Sequence, residues 1–136
     1  MDKKIPTSAK VVVIGGGIAG CSVAYHLAKF GWKDVVLLER DQLTSGTTWH
    51  AAGLLGQIGA SATITKLRNY SLNLYKELEK ETGIATGLKQ NGSLTIATTN
   101  ERLEELKRQA TFAQRFNIEV DSLDKEQIKD IYSLIN

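Results

Sequence analysis

The apolar run Lys10-Val-Val-Val-Ile-Gly15 leads without a break into Gly15-Gly-Gly17-Ile-Ala-Gly20, and this junction restricts the fold more than any other part of the chain. A short, uniformly apolar segment is the signature of a parallel strand buried on both faces. The G-x-G-x-x-G spacing that follows suits a strand-to-helix turn wrapped around a diphosphate. Gly15 allows the tight turn out of the strand. Gly17 removes a side chain where backbone must approach the pyrophosphate, and Gly20 lets the helix lie close on the sheet. Free N–H groups at the helix start, around Ile18 and Ala19, act with the helix dipole to bind the negative charge. The helix is expected over Ile18–Phe30 with Gly31 as its C-terminal cap. Val35–Glu39 reads as a second buried strand, so strand, helix and strand close within the 29 residues from Val11 to Glu39.

Glu39 ends that second strand 19 residues after Gly20. A carboxylate there accepts hydrogen bonds from both ribose hydroxyls of an adenosine and repels a 2′-phosphate, which favours FAD or NAD over NADP. Arg40 has the chemistry to accept a 2′-phosphate, but beside Glu39 it reads as solvated. The competing reading, a merely structural glycine turn with a surface glutamate, does not explain why all of these parts occur together. Cys21 reads as a small packed residue rather than a reactive thiol, and His26, mid-helix, as structural.

A second informative segment is Ser45-Gly-Thr-Thr-Trp-His50-Ala-Ala-Gly53. It lies in a stretch from Asp41 to Thr63 rich in Gly, Thr, Ser and Ala, too apolar for a solvated linker and too glycine-rich for an ordinary helix. Such a loop suits close packing on a ligand. Hydroxyls at Ser45, Thr47 and Thr48 have the chemistry to hydrogen-bond a diphosphate, and Gly46 and Gly53 permit close backbone approach. His50, between Trp49 and two alanines, is placed in an apolar, tightly packed setting, where a lone histidine is more often structural than functional.

Further along, Ile64, Leu67, Tyr70, Leu74 and Leu78 mark one face of a helix ending at Gly83. Ser93–Thr98 alternates as a strand does. Thr98 and Glu101 form a capping-box pattern that opens a helix with a stripe of Leu103, Leu106, Ala110 and Ala113. A short strand near Ile118–Val120 and a helix over Asp124–Tyr132 complete the pattern. Lys66 and Arg68 read as a solvated helix face rather than a clamp for a substrate carboxylate. The organisation expected is therefore a tail (1–9), a dinucleotide-binding βαβ unit with its glycine-rich loop (10–60), and a helical and strand segment (61–136). The fold class is α/β, a Rossmann-like βαβ unit followed by helices and the start of a mixed α+β substrate region, as an incomplete domain.

Seventeen basic and 15 acidic residues are mixed along the chain for a net charge of +2, with no basic block to follow a phosphate backbone, so nucleic acid is excluded as the expected partner. No apolar run approaches the roughly 18 residues of a membrane span. One cysteine forms no internal disulfide, and about ten residues precede the first strand, so the expected location is the cytoplasm.

The run G-T-T-W-H-A-A-G, after V-V-V-I-G-G-G-I-A-G and V-V-L-L-E-R, resembles the sarcosine and dimethylglycine dehydrogenase family, amine-oxidising flavoproteins of the D-amino-acid-oxidase-like superfamily. The likeness continues through Glu79–Gly83, Gln90–Ala97 and Glu101–Lys107 to Tyr132–Asn136, where Ser133 replaces the family's usual proline. The resemblance implies that His50 carries FAD through a bond from an imidazole nitrogen to the flavin 8α-methyl carbon. Such a link raises the flavin's reduction potential and favours hydride removal from a poor donor such as an N-methyl group. It further implies an FAD-dependent dehydrogenase that demethylates sarcosine or dimethylglycine by hydride transfer to flavin N5, with electrons passing to an electron-transfer flavoprotein. The chain would be the opening part of a longer protein, inactive by itself, with a tetrahydrofolate-binding region beyond residue 136. No residue of the chain is assigned to the hydride step. Two alternatives stand beside this reading: a related amine or amino-acid oxidase with non-covalent FAD, and a non-catalytic nucleotide-binding module.

Overall fold

The structure, a computed structural model, describes residues 6–135, so the expected N-terminal tail falls largely outside the described residues. The chain divides into two compact units, Met1–Leu54 and Leu55–Asn136.

The first unit is the βαβ motif. β1 (Val11–Ile14) and β2 (Val35–Leu38) pair in parallel, with Val11 opposite Val35 and Ile14 opposite Leu38. Parallel neighbours need a long crossover, and α1 (Ile18–Lys29) supplies it. The ladder runs one step beyond the strands, since Gly15 N–H donates to the Leu38 carbonyl at 2.8 Å. The helix ends as expected at Gly31, with φ +86°. The Gly31 N–H bonds the Ala28 carbonyl and the Trp32 N–H the Leu27 carbonyl, the paired bonds of a Schellman cap. Burial on both sheet faces is not observed. Val11 and Val13 are half-buried, whereas Val12 and Ile14 are exposed, Ile14 at 86%. Side chains alternate between faces, and α1 packs on one of them only.

Among its described residues the second unit contains three helices and no strand. α2 (Ala62–Thr82) opens on Ser61, whose hydroxyl accepts from Ile64 N–H, and closes at Gly83, with φ +70°. Its buried positions are Thr65 and Leu72, while Ile64, Leu67 and Tyr70 of the expected stripe are exposed. The reason is the preceding segment, which is laid on the other side of the helix by three hydrogen bonds. Gly59 N–H donates to Thr65 Oγ1 (3.0 Å), Gln57 Nε2 to Asn69 Oδ1 (3.2 Å), and the Arg68 guanidinium to the Ile58 carbonyl. Residues 55–60 thereby belong with α2. Arg68, though exposed, is thus anchored to backbone, while Lys66 is exposed.

α3 (Asn100–Gln114) is capped by Thr99 rather than by Thr98, the Thr99 hydroxyl accepting from Arg102 N–H. α4 (Lys125–Ile131) opens with a full capping box between Asp124 and Gln127. The segments 93–98 and 118–120, expected as strands, form no ladder. Ile118 instead folds back on the end of α3, buried, with its N–H on the Ala113 carbonyl. No described helix is long and apolar enough to cross a membrane.

Candidate functional site: the glycine loop and the Thr47–His50 turn

All the candidate cofactor-binding residues lie in the first unit. The loop leaves β1 at Gly15, whose φ of +100° is a conformation that L side chains rarely adopt. It then enters α1 so tightly that a Cβ on Gly20 would stand 1.8 Å from the Gly15 carbonyl oxygen. Gly20 is therefore demanded by backbone against backbone. The expected close approach of helix to strand also holds, for the same Cβ would lie 3.5 Å from Val13 Cγ1.

Gly16 was not among the residues expected to matter, yet it is the buried centre of the loop. Its N–H donates to Glu39 Oε2 at 2.6 Å, and its carbonyl accepts from Thr44 N–H at 2.9 Å and from Cys21 Sγ at 3.3 Å. A Cβ here would meet Leu43 Cδ2 at 2.4 Å and Glu39 Cβ at 3.1 Å. The legible signal was the unbroken triplet Gly15-Gly16-Gly17. Cys21 is half-buried with its thiol directed to that carbonyl, and His26 bonds the Ser22 carbonyl through Nδ1 at 2.7 Å, so both serve structure as expected.

Glu39 is the hub on the β2 side. Its Oε1 accepts from Asp41 N–H at 3.2 Å. The Gly16 hydrogen bond, then that of Asp41, with a contribution from the Arg40 charge, hold its carboxyl below the ordinary 4.5. Each carboxylate oxygen retains further acceptor capacity, so the two ribose hydroxyls remain within its chemistry. Arg40 is exposed, as expected.

Gly17 caps α1 without a side chain. The missing acceptor comes from elsewhere, because Thr48 Oγ1 accepts from Ile18 N–H at 2.9 Å across 30 residues. A Cβ on Gly17 would lie 3.0 Å from that hydroxyl, so the glycine makes room for Thr48. Among the described residues, no acceptor meets the N–H groups of Gly17, Ala19 and Gly20. These unpaired donors at the positive end of α1 form an anion cradle. With Glu39 beyond them, the set fits a dinucleotide diphosphate and its adenosine ribose.

Thr48 belongs to a 3-10 turn, Thr47–His50. The turn is closed by Trp49 Nε1 on the Ser45 carbonyl (3.0 Å) and by Ala51 N–H on the Thr48 carbonyl (3.2 Å). The Trp49 and His50 rings stack at 3.8 Å between centroids, tilted by 31°. The expected tight packing around His50 is not observed: His50 is exposed and Trp49 is 67% exposed. The histidine is held by its neighbour's ring and by the turn, not by a surrounding core. Thr44, just upstream, sits at φ +66°, an unusual conformation for a β-branched residue. Ser45 and Thr47 are exposed, with their hydroxyls in no described hydrogen bond, and Gly53 adopts φ +70° with open space around it. The structure therefore gathers Gly15, Gly17, Ile18, Ala19, Gly20, Glu39 and Thr48 at the loop and leaves Arg40, Ser45, Thr47 and Gly53 at its margin. No cluster of metal-ligating side chains occurs among the described residues.

Residues 10–136 match the FAD dependent oxidoreductase (DAO) family. The chain belongs to this family. It is 46% identical over 135 residues to human mitochondrial sarcosine dehydrogenase, covering 98% of this chain and 15% of that protein. It is 45% identical over 128 residues to rat mitochondrial dimethylglycine dehydrogenase, covering 94% of this chain and 15% of that protein. A third relative is the mouse pyruvate dehydrogenase phosphatase regulatory subunit, 42% identical over 132 residues, 97% of this chain and 15% of that protein. Among solved structures, glycine oxidase from Bacillus cereus superposes with a TM-score of 0.68 at 28% identity, over 90% of this chain and 35% of that one. The chain thus spans about 15% of the length of the curated relatives it matches. Membership of an FAD-dependent family supports FAD as the cofactor.

Proposed function

We propose that this chain is the FAD-holding front part of an amine dehydrogenase that oxidatively demethylates an N-methylated glycine, sarcosine or dimethylglycine. The observation that carries the reading is its likeness, through nearly its whole length, to sarcosine and dimethylglycine dehydrogenases. The geometry supports it. The cradle of Gly17, Ala19 and Gly20 would hold the diphosphate and Glu39 the ribose. His50, exposed on its turn, is accessible for a covalent bond to the flavin. FAD, when bound, supplies a hydride acceptor at N5 for the N-methyl carbon of the substrate. The chain's own residues bind and orient it, and the substrate amine, an electron-transfer flavoprotein and tetrahydrofolate would be met by segments beyond this one.

The test uses the complete reading frame that contains the chain. After denaturation, yellow fluorescence is expected to migrate with the polypeptide, and His50→Ala is expected to release it while some FAD still binds. Flavin that separates entirely from the unaltered protein overturns the covalent assignment and leaves a non-covalent amine oxidase.

A second reading rests on the third relative, whose name describes a regulatory subunit. A non-catalytic FAD module would bind the cofactor equally well. Anaerobic bleaching of the bound flavin by sarcosine or dimethylglycine supports the enzyme; flavin that no N-methylated or primary amine reduces supports the module.

A further inference from the structure

We infer that Thr48 is a positioning residue, tethering the turn that carries His50 to the head of α1 and so setting where His50 meets the flavin. The inference deepens the proposed covalent attachment and rests on it. The Thr47–His50 turn is rigid within itself, closed by Trp49 Nε1 on the Ser45 carbonyl and by the stacked Trp49 and His50 rings. A rigid turn still has to be fixed relative to the phosphate loop. Upstream, Thr44 N–H is pinned to the Gly16 carbonyl. The second pin is the Thr48 hydroxyl on Ile18 N–H, 2.9 Å, the one described hydrogen bond from the turn itself to α1. Thr48 lies two residues before His50, so the contact that orients the first helical amide also orients the histidine. The absence of a side chain at Gly17 leaves the space this hydroxyl needs. Having accepted from Ile18, the hydroxyl keeps its own proton to donate toward an anion in the cradle.

The bond in question joins an imidazole nitrogen to the 8α-carbon. Its formation removes one hydrogen from the methyl group and one from the imidazole, and the two electrons left on the ring system pass to dioxygen, giving hydrogen peroxide. Attachment of this kind depends steeply on the placement of the attacking nitrogen.

The experiment compares Thr48→Val and Thr48→Ser in the full-length protein, each with His50 intact and as the His50→Ala double variant. Valine keeps the shape and removes the acceptor; serine keeps the acceptor. In Thr48→Val the Ile18 amide is expected to exchange about fivefold faster, the effect of one ordinary hydrogen bond. At saturating FAD, covalent flavin should form on the apoprotein about tenfold more slowly or worse, while FAD affinity in the His50→Ala background falls by no more than about fivefold, the loss of one hydrogen bond to the diphosphate. Thr48→Ser should behave as the unaltered protein in all three readouts. Unchanged Ile18 exchange in Thr48→Val overturns the tether, and attachment at the unaltered rate despite faster exchange overturns its positioning role. A Ser variant as impaired as the Val variant also overturns it, because the hydroxyl is then not what matters. If the unaltered protein holds no covalent flavin, the His50 reading fails together with the positioning role, and Ile18 exchange still reports the tether separately.

Discussion

Gly16 and Glu39, 23 residues apart, are joined by a 2.6 Å hydrogen bond from the glycine N–H to Oε2 of the carboxylate. The residue expected to hold the adenosine ribose is thus already part of the protein's own architecture. It clasps the centre of the glycine loop to the end of β2, and Asp41 N–H bonds its other oxygen. Binding site and loop clasp are the same side chain, so a change at Glu39 acts on both.

A pH dependence follows from the clasp. The Gly16 and Asp41 hydrogen bonds lower the carboxyl below its ordinary 4.5 in the folded chain, so folding favours the ionised form. The stabilisation is complete above pH 4.5 and is lost as the pH falls through the depressed folded value. Glu39→Gln is expected to lower the unfolding midpoint at neutral pH and to match the unaltered protein at acidic pH, once both are uncharged at this position. Thermal melts across that range check it, and parallel curves for the two proteins would count against the clasp.

The glycines of the loop are not equivalent. In Gly20→Ala the new methyl collides with the Gly15 carbonyl oxygen, which is backbone and has nowhere to go. The cost should reach or exceed the upper end of the about 1–3 kcal/mol usual for overpacking, with FAD binding lost. In Gly16→Ala the nearest atom is Leu43 Cδ2, the end of a movable and exposed side chain. Leu43→Ala should therefore recover most of the stability lost in Gly16→Ala and none of that lost in Gly20→Ala. Denaturation of the three single and two double variants measures the coupling.

What could be read from residues and what could not divides along one physical line. The glycine turn, the Gly31 and Gly83 caps and the helix begun at Asp124 are local, each specified by residues a few positions apart. The expected strands at 93–98 and 118–120 fail because alternation gives a segment the right faces without giving it a neighbour, and a strand exists only once another pairs with it. The stripe expected on α2 turned away for a related reason: the loop at 57–59 bonds to Thr65 and Asn69, polar residues that carry no hydrophobic signal. At the site, the motif glycines, Glu39 and Thr48 were legible as types. Their partners, Gly16 and Ile18, lie 23 and 30 residues away, and no spacing rule links them. His50 was singled out by likeness alone, and its exposure was not legible, since flanking apolar residues do not imply a surrounding core.

The cap of α3 separates neighbours that look alike in sequence. Thr99, not Thr98, accepts from Arg102 N–H, at 3.3 Å. Thr99→Ala is expected to cost about 1 kcal/mol, whereas Thr98→Ala, at an exposed position with no described hydrogen bond, should stay within about 0.5 kcal/mol. Urea titration of the two variants tells them apart, and equal losses would place the cap wrongly.

Thr65 is fully buried and holds the start of the second unit together. Its hydroxyl accepts from Gly59 N–H at 3.0 Å and donates to the Ser61 carbonyl at 2.9 Å, tying the segment before α2 to the helix's second turn. Gly59 is suited to this approach, since a Cβ there would lie 2.5 Å from Ile64 Cγ2. In Thr65→Val the shape is kept but Gly59 N–H is left facing a methyl group. An amide stranded in this way costs about 1–3 kcal/mol. Thr65→Ser keeps both hydrogen bonds and loses only a methyl, so it should be the milder change. The Gly59 amide should lose its exchange protection in the valine variant alone. If valine proves no worse than serine, shape rather than the hydroxyl holds this segment.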